Sequence, residues 1–239
     1  EELKKLGPEL IDEHYYMPPA WFQKNAQRYD NYDRNGIKVF AGEYAAHGKD
    51  AEAPESRNNW LSALSEAAFM TGLERNADVV HMASYAPLLA HVDAWQWRPD
   101  LIWFDNLNVT GTPNYYVQKL FSSHRGTQVI PVLSEGKPLT GSDSLYASAT
   151  IDKPGAKVYI KLVNTSTSLI PVRLNLSGLS FLKNGELETL KAQGLSDFNS
   201  VMQPRLIYPE TKQLTVSSGK VIVSIEPESV NVIILNFRK

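Results

Sequence analysis

Val39-Phe40-Ala41-Gly42-Glu43-Tyr44 is an apolar run that ends in a carboxylate. A short run of this kind is a strand buried on both faces, as in a parallel α/β sheet. In an α/β barrel the active site is built on the rim, at the C-terminal ends of the strands. A glutamate at that tip is a candidate for chemistry, although the same position also suits a salt bridge or a helix cap. The neighbouring segment decides between the two. Leu10 to Tyr16 reads as the preceding strand and closes in Asp12-Glu13-His14-Tyr15-Tyr16, so two consecutive strands end in reactive side chains.

Outward from this pair, the first 125 residues alternate strand and helix, the pattern of a parallel α/β architecture. Pro18-Pro19 open a helix in which Phe22, Ala26, Tyr29 and Tyr32 recur at three-to-four spacing, with Gly36 as its end. Ile37 to Glu43 is the second strand. A polar loop, His47 to Arg57, is long for a barrel connection and reads as substrate-facing. A helix over 58–76 packs through Leu61, Leu64, Ala68 and Thr71. Val79 to Tyr85 is a third strand and Leu101 to Phe104 a short fourth. Thr112-Pro113 form an N-cap and N1 pair for a last helix carrying Tyr116, Val117, Leu120 and Phe121.

After Gly126 the helical period disappears. β-formers cluster in 145–151, 157–163, 169–176, 213–216, 221–225 and 230–237, between Gly, Pro, Asn and Ser. Short strands at this spacing predict an antiparallel sandwich. The expected domains are 1–125, the C-terminal part of a (β/α)8 barrel, and 126–239, a β-sandwich. Three or four parallel strands cannot close a barrel that needs eight, so earlier strands are expected upstream of residue 1. Glu1 to Gly7 reads as the end of a helix, which also suggests a fragment.

The 239 residues are 43% hydrophobic, with a net charge of -2. That supports a large core and argues against a nucleic-acid partner. There are no cysteines, so neither disulfides nor thiolate chemistry enter. Either compartment is compatible, with an extracytoplasmic one, periplasmic or secreted, favoured over the cytoplasm. No stretch has the length of a transmembrane helix, so no membrane partner is expected. A homo-oligomer is compatible with the composition.

Retaining glycosidases use two carboxyl groups about 5–5.5 Å apart, a nucleophile and an acid/base. Glu43 is a candidate for one of them. His14, Tyr15, Tyr16, Tyr44, His47, Trp95 and Trp97 offer the aromatic and imidazole mixture that suits sugars, though Trp95 and Trp97 read first as loop packing. The second carboxylate is not found: strand alternation turns Glu13 away from His14, and Asp93 has no strand to fix it. The histidines lack zinc-site spacing, and no Gly-x-Ser-x-Gly elbow or phosphate loop is present. No metal and no cofactor is expected.

These segments resemble the family 51 glycoside hydrolases, the α-L-arabinofuranosidases. The likeness rests on Asp12-Glu13-His14-Tyr15-Tyr16 and Val39-Phe40-Ala41-Gly42-Glu43-Tyr44-Ala45. Asn58-Asn59-Trp60-Leu61, Met82-Ala83-Ser84-Tyr85-Ala86-Pro87-Leu88, Trp97-Arg98-Pro99-Asp100-Leu101-Ile102 and Pro113-Asn114-Tyr115-Tyr116-Val117-Gln118 extend it. The resemblance implies a (β/α)8 barrel with a C-terminal sandwich, releasing terminal arabinofuranosyl groups with retention. It makes Glu43 the nucleophile after strand seven, and His14 and Tyr16, after strand six, its neighbours and the sugar's. The family's acid/base is the Glu of an Asn-Glu pair; no such pair occurs here, which assigns it to the upstream barrel portion of the full-length enzyme. Where relatives carry a side-chain amide near strand eight, this chain has Ala86-Pro87-Leu88. The alternatives are another retaining barrel glycosidase, of β-xylosidase or glucosidase type, and a non-catalytic carbohydrate-binding sandwich module. The chain alone is expected to be inactive, with the sandwich folding the more independently of its halves.

Overall fold

The computed structural model describes residues 3–48, 57–217 and 219–238. Most of the loop expected to face substrate, 49–56, lies outside them. Leu10–Met17 (β1), Lys38–Ala46 (β2) and Val80–Ala83 (β3) form a parallel sheet in the order β1-β2-β3. Its β1 edge carries no strand partner among the described residues. Between the strands lie Pro19–Lys24 (α1) and Trp60–Arg75 (α2). The first helix is shorter than its apolar spacing predicts. It ends at Lys24, and the turns beyond still bury Ala26 and Tyr29. Those turns carry Arg28, Tyr29 and Tyr32 to the Glu13 carboxylate. A partly buried acid that recruits these donors accompanies the break in the helical period.

α2 behaves as expected, with Asn59 as N-cap accepting from the Ser62 amide. It is buried nearly all round, which explains its Ala, Ser and Gly content. A side chain at Gly72 would meet the Ala26 carbonyl at 2.0 Å, so only glycine permits this approach.

Leu101 to Phe104 does not join the parallel sheet. Leu89–His91 (β4), Ile102–Phe104 (β5) and Val109–Gly111 (β6) make a separate three-stranded sheet, parallel and then antiparallel. Pro113–Ser123 (α3) follows, capped by Thr112 as its sequence requires.

The remainder is antiparallel. Gln128–Ile130 (β7), Leu133–Ser134 (β8), Lys137–Pro138 (β9), Leu145–Asp152 (β10), Lys157–Asn164 (β11), Ile170–Asn175 (β12), Phe181–Lys191 (β13), Glu210–Thr215 (β14), Lys220–Ile225 (β15) and Ser229–Phe237 (β16) occur in turn. A six-stranded sheet runs β14-β13-β16-β11-β10-β7, and β12-β15 pair separately. One face of the large sheet, through Ala149, Ile160, Leu162 and Ile233, packs on Val221, Val223 and Ile225 of β15. The other face, through Tyr146, Tyr159, Val163, Val232 and Ile234, shares a core with α2 and α3. The helix layer is thus covered by a sheet on each side. This is why β10, where the β-formers cluster, is buried from Leu145 to Ile151.

The seam between the halves contains an ion pair whose lysine is fully buried. Lys161 Nζ lies 2.5 Å from Glu74 of α2 and also donates to the His124 carbonyl, while Ser148 Oγ donates to Glu74 at 2.6 Å. Burial pulls the Lys161 ammonium below its ordinary pKa, and Glu74 opposes that shift.

Candidate active site

β1 and β2 run in register with His14 opposite Glu43 and Tyr16 opposite Ala45. Strand alternation turns Asp12, His14 and Tyr16 to one face, and there they meet Glu43. The Tyr16 hydroxyl donates to Glu43 Oε2 at 2.6 Å. His14 Nδ1 lies 3.5 Å from the same oxygen, and His14 Nε2 lies 2.9 Å from Asp12 Oδ2. The imidazole therefore sits between two carboxylates, each facing one ring nitrogen. Asp12 is fixed in turn by accepting the Gly42 amide at 3.1 Å. A Cβ at Gly42 would come within 2.2 Å of Asp12 Oδ1, which is why glycine precedes Glu43.

The two strand-end residues expected beside Glu43 are thus brought to it. β2 continues past Glu43 to Ala46, so the carboxylate stands on the strand's last turn of pleat rather than at its final residue. A hydrogen bond from a hydroxyl to an ionised acceptor is worth about 1.5–3 kcal/mol. Burial, and then the bond to Glu43, push the Tyr16 hydroxyl above its ordinary pKa. Tyr16 accordingly stays a hydrogen-bond donor to Glu43 across the physiological range.

Glu43 and Tyr16 open into a cavity of about 410 Å³ whose other walls are His47, Pro87, Trp97 and Pro99. Trp97, which reads from sequence as loop packing, is 43% exposed and faces this space. Trp95 is the packing residue, lying 6.4 Å from the Trp103 ring with Arg98 against its face. Pro87 comes from the segment that lacks a side-chain amide, so the wall there is apolar. Behind Pro99 the Asp100 carboxyl is buried, and that burial raises it to about 6. The cavity thus combines one half-exposed carboxylate, hydroxyl and imidazole donors, and flat apolar surfaces. Such a set can stack against an apolar ring face and hydrogen-bond hydroxyl groups.

On the opposite face of β1, Glu13 is held by the Tyr15, Tyr29 and Tyr32 hydroxyls and by Arg28 at 3.7 Å. It is turned away from His14, as alternation requires, and is a structural carboxylate. Among the described residues no group of three or more His, Cys, Asp and Glu is arranged to hold a metal ion.

The family model for the α-L-arabinofuranosidase C-terminal domain matches residues 42–229. An extracellular exo-α-L-arabinofuranosidase of Streptomyces chartreusis is 53% identical over 152 residues, which cover 62% of this chain and 17% of that protein. An α-L-arabinofuranosidase of Arabidopsis thaliana is 34% identical, covering 92% of this chain and 32% of its own length. An arabinose-bound GH51 α-L-arabinofuranosidase structure superposes with a TM-score of 0.87 at 35% identity, over 97% of this chain and 37% of that one. The chain therefore spans about a third or less of the length of the Streptomyces and Arabidopsis enzymes.

Proposed function

The chain belongs to the α-L-arabinofuranosidase C-terminal domain family of the family 51 glycoside hydrolases, and on that premise we propose that it carries the nucleophile of a retaining arabinofuranosidase. The observation that carries the reading is the Tyr16–Glu43 hydrogen bond of 2.6 Å at the rim of an aromatic-walled cavity. Residues 1–125 are the last part of a (β/α)8 barrel, and 126–239 are its attached sandwich. The β1 edge, without a strand partner among the described residues, is in keeping with this, because a closed barrel leaves no edge.

In the proposed reaction a Glu43 carboxylate oxygen bonds to the anomeric carbon of a terminal α-L-arabinofuranosyl group. The glycosidic carbon–oxygen bond breaks, and the leaving oxygen takes a proton from an acid in the upstream barrel portion. Water then attacks the same carbon, gives its proton to that residue and releases Glu43. Tyr16 and His14 aim Glu43, and Asp12 orients His14. Trp97, Pro87 and Pro99 supply the apolar wall for the sugar or its aglycone. The substrates are arabinan- or arabinoxylan-type glycans.

Hydrolysis of chromogenic α-L-arabinofuranosides, β-xylosides and glucosides by the full-length enzyme, with and without Glu43→Gln, tests this reading. Arabinofuranoside turnover that falls by orders of magnitude in Glu43→Gln supports it. A preference for xylosides, or an unaffected variant, overturns it.

A further inference from the structure

Glu66, in the middle of α2, is a fully buried carboxyl that none of these steps uses. Its oxygens have separate partners: Oε1 accepts the Ala46 amide at 2.7 Å, and Oε2 accepts Asn114 Nδ2 of α3 at 2.7 Å. Asn114 Oδ1 accepts from Ser62 Oγ at 3.2 Å. A polar chain therefore links the end of β2 to two helices, entirely among buried residues.

The reason for an acid at this place lies in the sheet. β3 pairs with β2 only as far as Ala41↔Ala83, and Ala46 lies beyond that ladder. Its amide is buried and must find an acceptor. Glu66 supplies the acceptor that a longer neighbouring strand would have supplied.

We propose that Glu66 is a positioning residue for Glu43, holding the C-terminal end of β2 through the Ala46 amide. The proposal rests on the reading of Glu43 as nucleophile. Three side-chain anchors then bracket Glu43. Asp12 holds the Gly42 amide on one flank, while Gln118 holds the Tyr44 hydroxyl and Glu66 the Ala46 amide on the other. A displacement on the order of 1 Å at a reacting group can cost ~100-fold in rate.

Burial pushes the Glu66 carboxyl up to about 8, partly opposed by the bonds from Ala46 and Asn114. Tyr44 from β2 and Tyr85 after β3 are the titratable neighbours, and burial raises both hydroxyls further from ionisation. α3 faces this cluster with the amides of Asn114 and Gln118. Glu66 is therefore protonated in the acid range. Its ionisation above about pH 8 places a charge behind β2 that two amide donors alone must solvate.

The test measures kcat and KM against pH for the full-length enzyme and its Glu66→Gln, Glu66→Leu and Glu43→Gln variants on a chromogenic arabinofuranoside. Glu66→Leu should lose kcat by about 10-fold or more with KM changed less than about 3-fold. Glu66→Gln, neutral at every pH, should keep kcat in the acid range and lose the wild-type alkaline fall near pH 8. A merely structural Glu66 would alter melting without moving the pH profile. An alkaline limb unchanged in Glu66→Gln overturns the proposal, and that variant suffices if Glu66→Leu does not fold. If Glu43→Gln stays active, the nucleophile reading fails. If it is inactive while the alkaline limb stays put, only the positioning role fails.

Discussion

Replacing Lys161 by methionine should destabilise both halves of the molecule together. Lys161 is fully buried and bridges Glu74 of α2 and the His124 carbonyl, with the Phe121 and Tyr159 rings 5.7 and 5.9 Å from its Nζ. Methionine keeps the stem's volume and removes the charge. Glu74 then keeps the Ser148 bond and loses its cation. Removing one partner of a buried pair costs about 3–5 kcal/mol. With a urea slope near 3 kcal/mol per molar, the midpoint should fall by roughly 1 M or more. The assay exploits the sequence: all tryptophans, Trp21, Trp60, Trp95, Trp97 and Trp103, lie before residue 126. Their fluorescence reports the α/β half, while far-ultraviolet circular dichroism is dominated by the antiparallel strands. Because one core spans the helix layer and the large sheet, the two signals should move together in both proteins. A sandwich signal that stays put while fluorescence shifts would refute the shared core and restore independent folding of the sandwich.

Tyr16→Phe should lower kcat of the full-length enzyme about 10- to 100-fold, the value of one hydroxyl bond to a carboxylate, with little change in KM; steady-state kinetics decide. Glu66→Gln should stabilise the protein most on the alkaline side. The folded Glu66 carboxyl is raised to about 8 from its ordinary 4.5, so the folded state holds a proton that the unfolded state releases. Wild-type stability is therefore lost as pH rises between these values, by roughly 1.4 kcal/mol per unit. Melting curves at about pH 5 and 8 should show the variant's advantage growing with pH; a constant difference refutes it. The 239-residue chain alone should not hydrolyse arabinofuranosides, because its cavity presents Glu43 without an assigned proton donor. Glu43-dependent turnover by that chain would require a second carboxylate within it.

What the sequence discloses follows from local rules. An apolar run ending in Gly42-Glu43, a partner strand alternating Asp12, His14 and Tyr16, and the caps Asn59 and Thr112 each specify their neighbourhood without distant help. The features it hides are set by tertiary contacts. β13 gives no strand signal because only Gly185, Leu187 and Leu190 of it are buried, although it pairs on both sides. Lys161 carries no sequence mark of its burial, which the helix layer on that face imposes. Glu66 carries no sequence mark of its burial, and its bond to the Ala46 amide depends on where β3 stops. Trp97 reaches the cavity from a loop more than fifty residues beyond Glu43, a distance no periodicity spans. The helix expected through Gly36 ends at Lys24, and the turns beyond it carry donors to Glu13.

The central claim is that Glu43 forms the covalent bond to the sugar. The full-length enzyme incubated with a slow, activated 2-fluoro-arabinofuranoside should trap that bond, because the fluorine slows its hydrolysis. Peptide mass spectrometry should then find one sugar on the peptide carrying Glu43, and none in Glu43→Gln. A sugar on any other carboxylate would contradict the account.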